Sequence, residues 1–169
     1  AGTLEGYGTV IGGATIESGG NLKPGDAIGT LTISGALTFN SGSTYTDELS
    51  PSQVSLTKVI GGAGGTVSIS SGAEVELTPQ LGRYSTATVP IITSTGTRTG
   101  TFNPTITYTG STQLQGASLS YDANDVYLSY ASGFVTLIIP PNATVNEQNV
   151  GNAINNFILG GGTPPGNFC

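Results

Sequence analysis

The sequence predicts an all-β fold: a short right-handed parallel β-helix (solenoid), capped by an antiparallel β unit and followed by one C-terminal amphipathic helix. Three observations predict it. Short alternating runs of β-branched residues recur between Ser-Gly and Gly-Gly corners over the first eighty positions. Two Tyr- and Leu-containing runs then flank the turn-forming cluster Asp122-Ala123-Asn124-Asp125. Near the end, apolar residues at helical spacing follow a Thr-x-x-Glu start signal.

The repeat is visible in three stretches that align on a shared Ser-Gly: Ala14 to Gly19, Leu37 to Gly42 and Val67 to Gly72. Their serines, Ser18, Ser41 and Ser71, lie 23 and 30 residues apart, which fits a rung of about 20 residues plus insertions. Each stretch is followed by a second short run, around Leu22, Tyr45 and Val75, so a pair of strands is the expected unit. One residue in two is apolar (Ile16 and Leu22; Leu37, Phe39 and Tyr45; Val67, Ile69, Val75 and Leu77), with Thr, Ser, Asn or Glu between. Strand alternation puts the first set inward and the second outward. A lone rung cannot bury its apolar face, whereas a stack makes a continuous narrow core.

After Pro79 the texture changes. Tyr84 to Ile92, Gly100 to Thr109 and Gln113 to Tyr121 read as strands. Val126 to Tyr130 pairs with Leu119 to Tyr121 across the Asp122–Asp125 turn. An open stack end exposes unpaired strand edges, so an antiparallel hairpin here is expected to cover one. Phe134 to Ile139 reads as one more strand, stopped by Pro140-Pro141. Thr144 and Glu147 then form a capping box, and Val150, Ala153, Ile154, Phe157 and Ile158 share one helix face. Gly160-Gly161-Gly162 ends the helix, and Thr163 to Cys169 reads as an extended tail. The expected organisation is β-helix rungs over 1–80, an antiparallel cap over 81–133, strand and helix over 134–159, and a tail over 160–169.

Composition removes whole classes of function. Only 8% of residues are charged, against roughly 25% in an average soluble domain. Four basic residues and a net charge of −6 make nucleic acid an unsuitable partner. Mean hydropathy is +0.09, with Val, Ile, Leu, Tyr and Phe throughout, which argues against disorder. The chain has no His, Trp or Met, and its single Cys is Cys169. Ser-His-Asp and Cys-His arrangements therefore cannot be built within it, and transition-metal sites lack their usual donors. No catalytic, cofactor-binding or metal-binding residue is expected, and no cofactor.

Glu74 and Glu76 stand two apart on a strand, a spacing compatible with a glycosidase or a calcium site, but a solvated face opposite Val75 and Leu77 accounts for them. Asp47 and Glu48 are adjacent and point to opposite sides of a strand, which suits no paired acid/base role. Asp122, Asn124 and Asp125 offer too few oxygens for Ca²⁺ and read as a turn. Lys23, Lys58, Arg83 and Arg98 are scattered and read as isolated solubilising charges. The first residues show neither a basic nor an apolar leader region, as in a mature secreted piece or an internal fragment.

The stretch Gly20-Asn-Leu-Lys-Pro-Gly-Asp-Ala-Ile-Gly-Thr-Leu-Thr-Ile-Ser-Gly35, with Leu37-Thr-Phe-Asn-Ser-Gly-Ser-Thr-Tyr45, resembles bacterial autotransporter passengers just upstream of the closing module. Gly96-Thr-Arg-Thr-Gly-Thr-Phe102, Leu119-Ser-Tyr-Asp-Ala-Asn-Asp-Val-Tyr-Leu128 and the Asn146–Phe157 segment are similar to later pieces of that family, in family order. Ala27 departs from the more usual Ser, and Asp47 to Gly65 lacks the usual link between rungs.

The resemblance implies type V secretion: a passenger that crosses the outer membrane through its own C-terminal translocator barrel. This chain would be the β-helix stem with an autochaperone-like cap, extracellular or at the bacterial cell surface, either tethered to the outer membrane or released. Phe102, Leu119, Tyr121, Val126 and Leu128 would form the folding and capping core. The translocator barrel is the implied partner, and it is not in this chain. A binding module that contacts host matrix, glycan or sister cells, including self-association, is the alternative. A polysaccharide-active enzyme using Glu74 and Glu76 is the remaining one.

Overall fold

The computed structural model describes residues 1–109, 112–136 and 139–161. It is mostly β-structure with one helix near the C-terminus, and its strands form several parallel sheets. In chain order the first nine strands are β1 (Thr3–Gly6), β2 (Gly8–Ile11), β3 (Ala14–Ile16), β4 (Asn21–Pro24), β5 (Thr30–Ser34), β6 (Leu37–Phe39), β7 (Thr44–Leu49), β8 (Leu56–Ile60) and β9 (Val67–Ile69). They are followed by β10 (Glu74–Pro79), β11 (Gly82–Tyr84), β12 (Ala87–Ser94), β13 (Arg98–Thr99), β14 (Thr107–Tyr108), β15 (Ser118–Tyr121), β16 (Val126–Tyr130), β17 (Gly133–Val135) and the helix α1 (Val145–Leu159).

Every strand from β1 to β9 pairs in parallel with the strand three later, except that β11 intervenes before β12 and β13. One sheet runs β1-β4-β7-β10-β14, a second begins β2-β5-β8-β12, and a third runs β3-β6-β9-β13. The repeating unit is thus three strands, which corrects the expected pair. The aligned Ser-Gly stretches do fall in register: Ala14, Leu37 and Val67 are neighbours across the third sheet, as are Ile16, Phe39 and Ile69. In the first sheet Leu22, Tyr45 and Val75 stack in the same way.

The core follows from that register. All nine residues expected to point inward from the first eighty are buried, and one continuous apolar cluster joins them to Ile91, Ile92 and Phe102. The second sheet adds Leu31, Ile33 and Val59, contributed by the strands that the two-strand reading left out. The parallel ladders continue past residue 80 through β12, β13 and β14.

Three of the expected strands are shorter than the sequence predicts. Gly100 to Thr109 is a strand only at Thr107–Tyr108. Pro104 has no N–H to give a ladder, and Asn103 Oδ1 accepts from Thr105 N at 3.0 Å in a local turn instead. Likewise, of Gln113 to Tyr121 only Ser118–Tyr121 forms a strand. Phe134 to Ile139 is a strand at Phe134 and Val135, while Leu137 and Ile138, like Gly162 to Cys169, lie outside the described residues.

Helix α1 begins as its sequence dictates: Thr144 Oγ1 accepts from Glu147 N, and Glu147 Oε2 accepts from Thr144 N at 2.7 Å. Hydrogen bonds from the Thr144 backbone N–H and then its hydroxyl hold the Glu147 carboxyl below its ordinary range. Its inward face differs from expectation. Gly151 and Ile158 are buried and Ile154 partly so, whereas Val150, Ala153 and Phe157 are exposed. Gly151 takes the contact because it is small; a Cβ there would stand 2.8 Å from the Ile139 side chain.

Candidate functional site

The feature that ends the parallel pairing of the second sheet is the seam between β12 and β16. The last residues of β12, Ile92 to Ser94, pair in parallel with Thr57 to Val59 of β8. Its first residues pair antiparallel with β16, Ala87 with Tyr130 through Val89 with Leu128. The register shifts between Pro90 and Ile92, a bulge where proline's missing donor is tolerated. Antiparallel β15 then completes the edge, pairing Leu119 with Leu128 and Tyr121 with Val126. One strand therefore serves both the parallel sheet and the antiparallel hairpin.

The five sequence-assigned core residues lie in or against this seam. Val126 and Leu128 are fully buried from β16, Phe102 is buried, and Leu119 and Tyr121 are half-buried on β15. Phe102 packs edge-on to Phe39 with ring centroids 5.1 Å apart, and stacks on Tyr45 at 6.3 Å. Its backbone N–H donates to the Tyr121 hydroxyl at 3.0 Å. A single residue thus joins the hairpin to aromatic side chains of β6 and β7. Burial raises the Tyr121 phenol pKa, while the Phe102 N–H and nearby Arg98 act the other way.

Arg98 is the residue that sequence reasoning missed. Far from being an isolated charge, its Nε and Nη2 donate to the Asp122 carbonyl at 3.1 and 2.8 Å, and Nη1 donates to the Gly100 carbonyl. The guanidinium also lies 4.6 Å from the centre of the Tyr121 ring. A planar fork with donors on several nitrogens can do this, and an ammonium cannot. Arg98→Lys is expected to destabilise the fold by about 1–2 kcal/mol, read as a lower urea midpoint by circular dichroism.

The turn itself is internally satisfied. Asp122 Oδ1 accepts from Asn124 N and Asp125 N at 2.8 and 2.7 Å, and Oδ2 accepts from the Tyr127 hydroxyl at 2.9 Å. The two backbone donors depress the Asp122 pKa, and the hydrogen bond to Asp122 pushes the Tyr127 phenol up to about 12. Asp125 Oδ1 accepts from Ser94 N at 3.0 Å, and Ser94 Oγ donates to the Asn124 carbonyl at 2.7 Å, which docks the turn on the end of β12. The cluster is built as a turn and a tether.

The other candidates stay apart. Glu74 and Glu76 lie on the outward side of β10 opposite buried Val75 and Leu77, and Thr46 Oγ1 donates to Glu76 at 3.3 Å. Lys23 pairs with Glu5 of the adjacent strand at 2.9 Å, which raises the lysine pKa. Arg83 rests over the Phe134 ring at 5.9 Å. Among the described residues, no group of three or more Asp, Glu, His or Cys side chains converges. No described helix is long and apolar enough to cross a membrane. Neither a protein-family model nor a curated protein sequence matches the chain.

Proposed function

We propose that this chain is a non-enzymatic stem and folding module from the C-terminal end of a bacterial autotransporter passenger. In this reading the three parallel sheets wind as one short right-handed β-helix, and the β15–β16 hairpin is an autochaperone-like cap. The observation that carries it is the dual pairing of β12, parallel to β8 and antiparallel to β16. Parallel stacks leave an open edge that recruits further strands, and an antiparallel hairpin closes it.

A mechanism follows from the energetics. Folding outside a cell proceeds without ATP, so burial and ladder formation supply the bias. The cap, once formed, offers β12 and the Phe102 ring as a surface on which Phe39 and Tyr45 settle, and earlier rounds stack in turn. Each added round opposes back-sliding through the pore. The partner in this reading is a translocator barrel, and the site of action is the outer face of the outer membrane. A binding role is the second reading, favoured by an outward column of hydroxyls, Thr15, Thr38, Ser68 and Thr99, on neighbouring strands of the third sheet.

The test places the chain between a reporter and a translocator barrel in a Gram-negative host. Removing Thr99 to Tyr130 is expected to leave barrel insertion intact and to abolish protease-resistant reporter at the cell surface. Equal protease-resistant display by the deleted chain overturns the proposal.

A further inference from the structure

The least expected residue of the core is Asp47. It sits on β7 between Tyr45 and Leu49 on the inward side, with no exposed surface. Neither carboxyl oxygen has a hydrogen-bond partner. Ser55 N–H and the Tyr45 hydroxyl lie close enough to favour its ionised form, against the larger opposing effect of burial, but their hydrogen bonds go to the Glu48 carbonyl at 3.0 Å and the Ile91 carbonyl at 2.7 Å. Burial disfavours the ionised carboxylate most strongly and holds the Asp47 carboxyl well above the usual carboxylate range.

The surroundings supply no counter-charge. From its own strand, Tyr45 lies on the same side, and the charge of adjacent Glu48, on the opposite side, disfavours ionisation. From β10 it meets Leu77, with Glu74 and Glu76 on the other face. The one charged residue of β4 is Lys23, turned outward and paired with Glu5. Residues 54–60 present buried Ser55 and Thr57, while Lys58 is exposed. From β11, Tyr84 directs its hydroxyl to the Leu49 and Gln80 carbonyls and Arg83 is exposed, and β12 carries no titratable side chain.

The cover over this site is the turn that follows β7, tied down where the Leu49 carbonyl accepts from Gln80 N at 2.8 Å and from the Tyr84 hydroxyl at 3.1 Å, and where Ser55 Oγ accepts from Gly29 N at 3.2 Å. Residues 48–55 fold back on themselves through one isolated antiparallel bridge, Leu49 to Val54. Besides the Ser55–Glu48 bond, Ser50 N donates to the Gln53 carbonyl at 2.8 Å, and Gln53 N donates to Ser50 Oγ at 3.1 Å. Ser52 and Gln53 are exposed.

We propose that Asp47 and the turn over residues 48–55 form a proton-operated latch. With Asp47 protonated the turn lies shut over the buried acid; when Asp47 ionises, the Leu49–Val54 bridge releases, water enters, and the strands around β7 loosen. The sign is fixed by linkage. The unfolded or opened chain loses this proton near pH 4, and the closed form keeps it to higher pH. The stabilisation is fully present below about pH 4 and is lost as pH rises toward the closed-state value. The closed-to-open ratio falls by up to about tenfold per pH unit across that window.

Hydrogen exchange on the whole chain between pH 5 and pH 8, corrected for intrinsic exchange, tests this. Peptides spanning residues 46–56 are expected to lose protection steeply with pH in the natural chain, and to hold it level in Asp47→Asn and Asp47→Leu. A flat profile in the natural chain, or an equal slope in the variants, overturns the latch. Should neither variant fold, the ¹³C-carboxyl titration of Asp47 in the natural chain decides: a midpoint well above 4 supports the latch, and one near 4 removes it.

Discussion

Replacing Phe102 by alanine is expected to cost about 3–5 kcal/mol, the largest loss of any single side chain at the seam. Phe102 is buried against two rings, Phe39 and Tyr45, that belong to strands of different sheets. Its removal leaves a cavity where those sheets and the hairpin meet, and the flanking rings are themselves fully buried and fixed. Tyr121 keeps its hydrogen bond to the backbone N–H of residue 102, so the hairpin loses packing without losing that polar anchor. Equilibrium urea unfolding checks the figure. A loss under 1 kcal/mol means that Phe102 does not couple the hairpin to the stack.

Gly100→Ala is expected to cost about 3 kcal/mol or more, from a change of one methyl group. Gly100 has φ +78°, and a Cβ there would overlap the carbonyl oxygen of Ile69 on β9. The chain must therefore move away from the third sheet, taking Phe102 and the Arg98 contact to the Gly100 carbonyl with it. Gly62→Ala is the control. Gly62 has φ +60° with nothing within 4 Å of a Cβ, so only the backbone preference is lost, about 1–2 kcal/mol. Equal melting shifts for the two variants mean that close approach at Gly100 does not matter.

What could be read from the sequence was whatever obeyed a local period. The Ile16–Phe39–Ile69 and Leu22–Tyr45–Val75 columns come from strand alternation anchored at Ser-Gly corners. The β15–β16 hairpin comes from its turn cluster, and the start of α1 from Thr144 and Glu147. Counted from Ser18, Ser41 and Ser71 alone, the repeat passes over Thr30–Ser34, although Ser34-Gly35 closes that strand. The matching corners of the neighbouring units, Gly12-Gly13 and Gly61-Gly62, lack the serine, so two strands look like a full repeat.

Other features depend on contacts that no local pattern carries. Arg98 and Asp122 are 24 positions apart and meet only because β13 and the hairpin share an end of the stack. The face of α1 was misplaced because periodicity counts large apolar residues, while the packing selected Gly151. Asp47 was half legible: alternation with Tyr45 and Leu49 points it inward, but its burial without a partner follows from Leu77 above it and the turn over it.

Pulse-labelling hydrogen exchange during refolding tests the central claim most directly. Amides of β12 and β16 are expected to gain protection first, followed by β7 to β9, with β1 to β3 last. Protection that begins at β1 to β3, or that reaches them before the hairpin forms, contradicts a cap that directs the stacking of the rest.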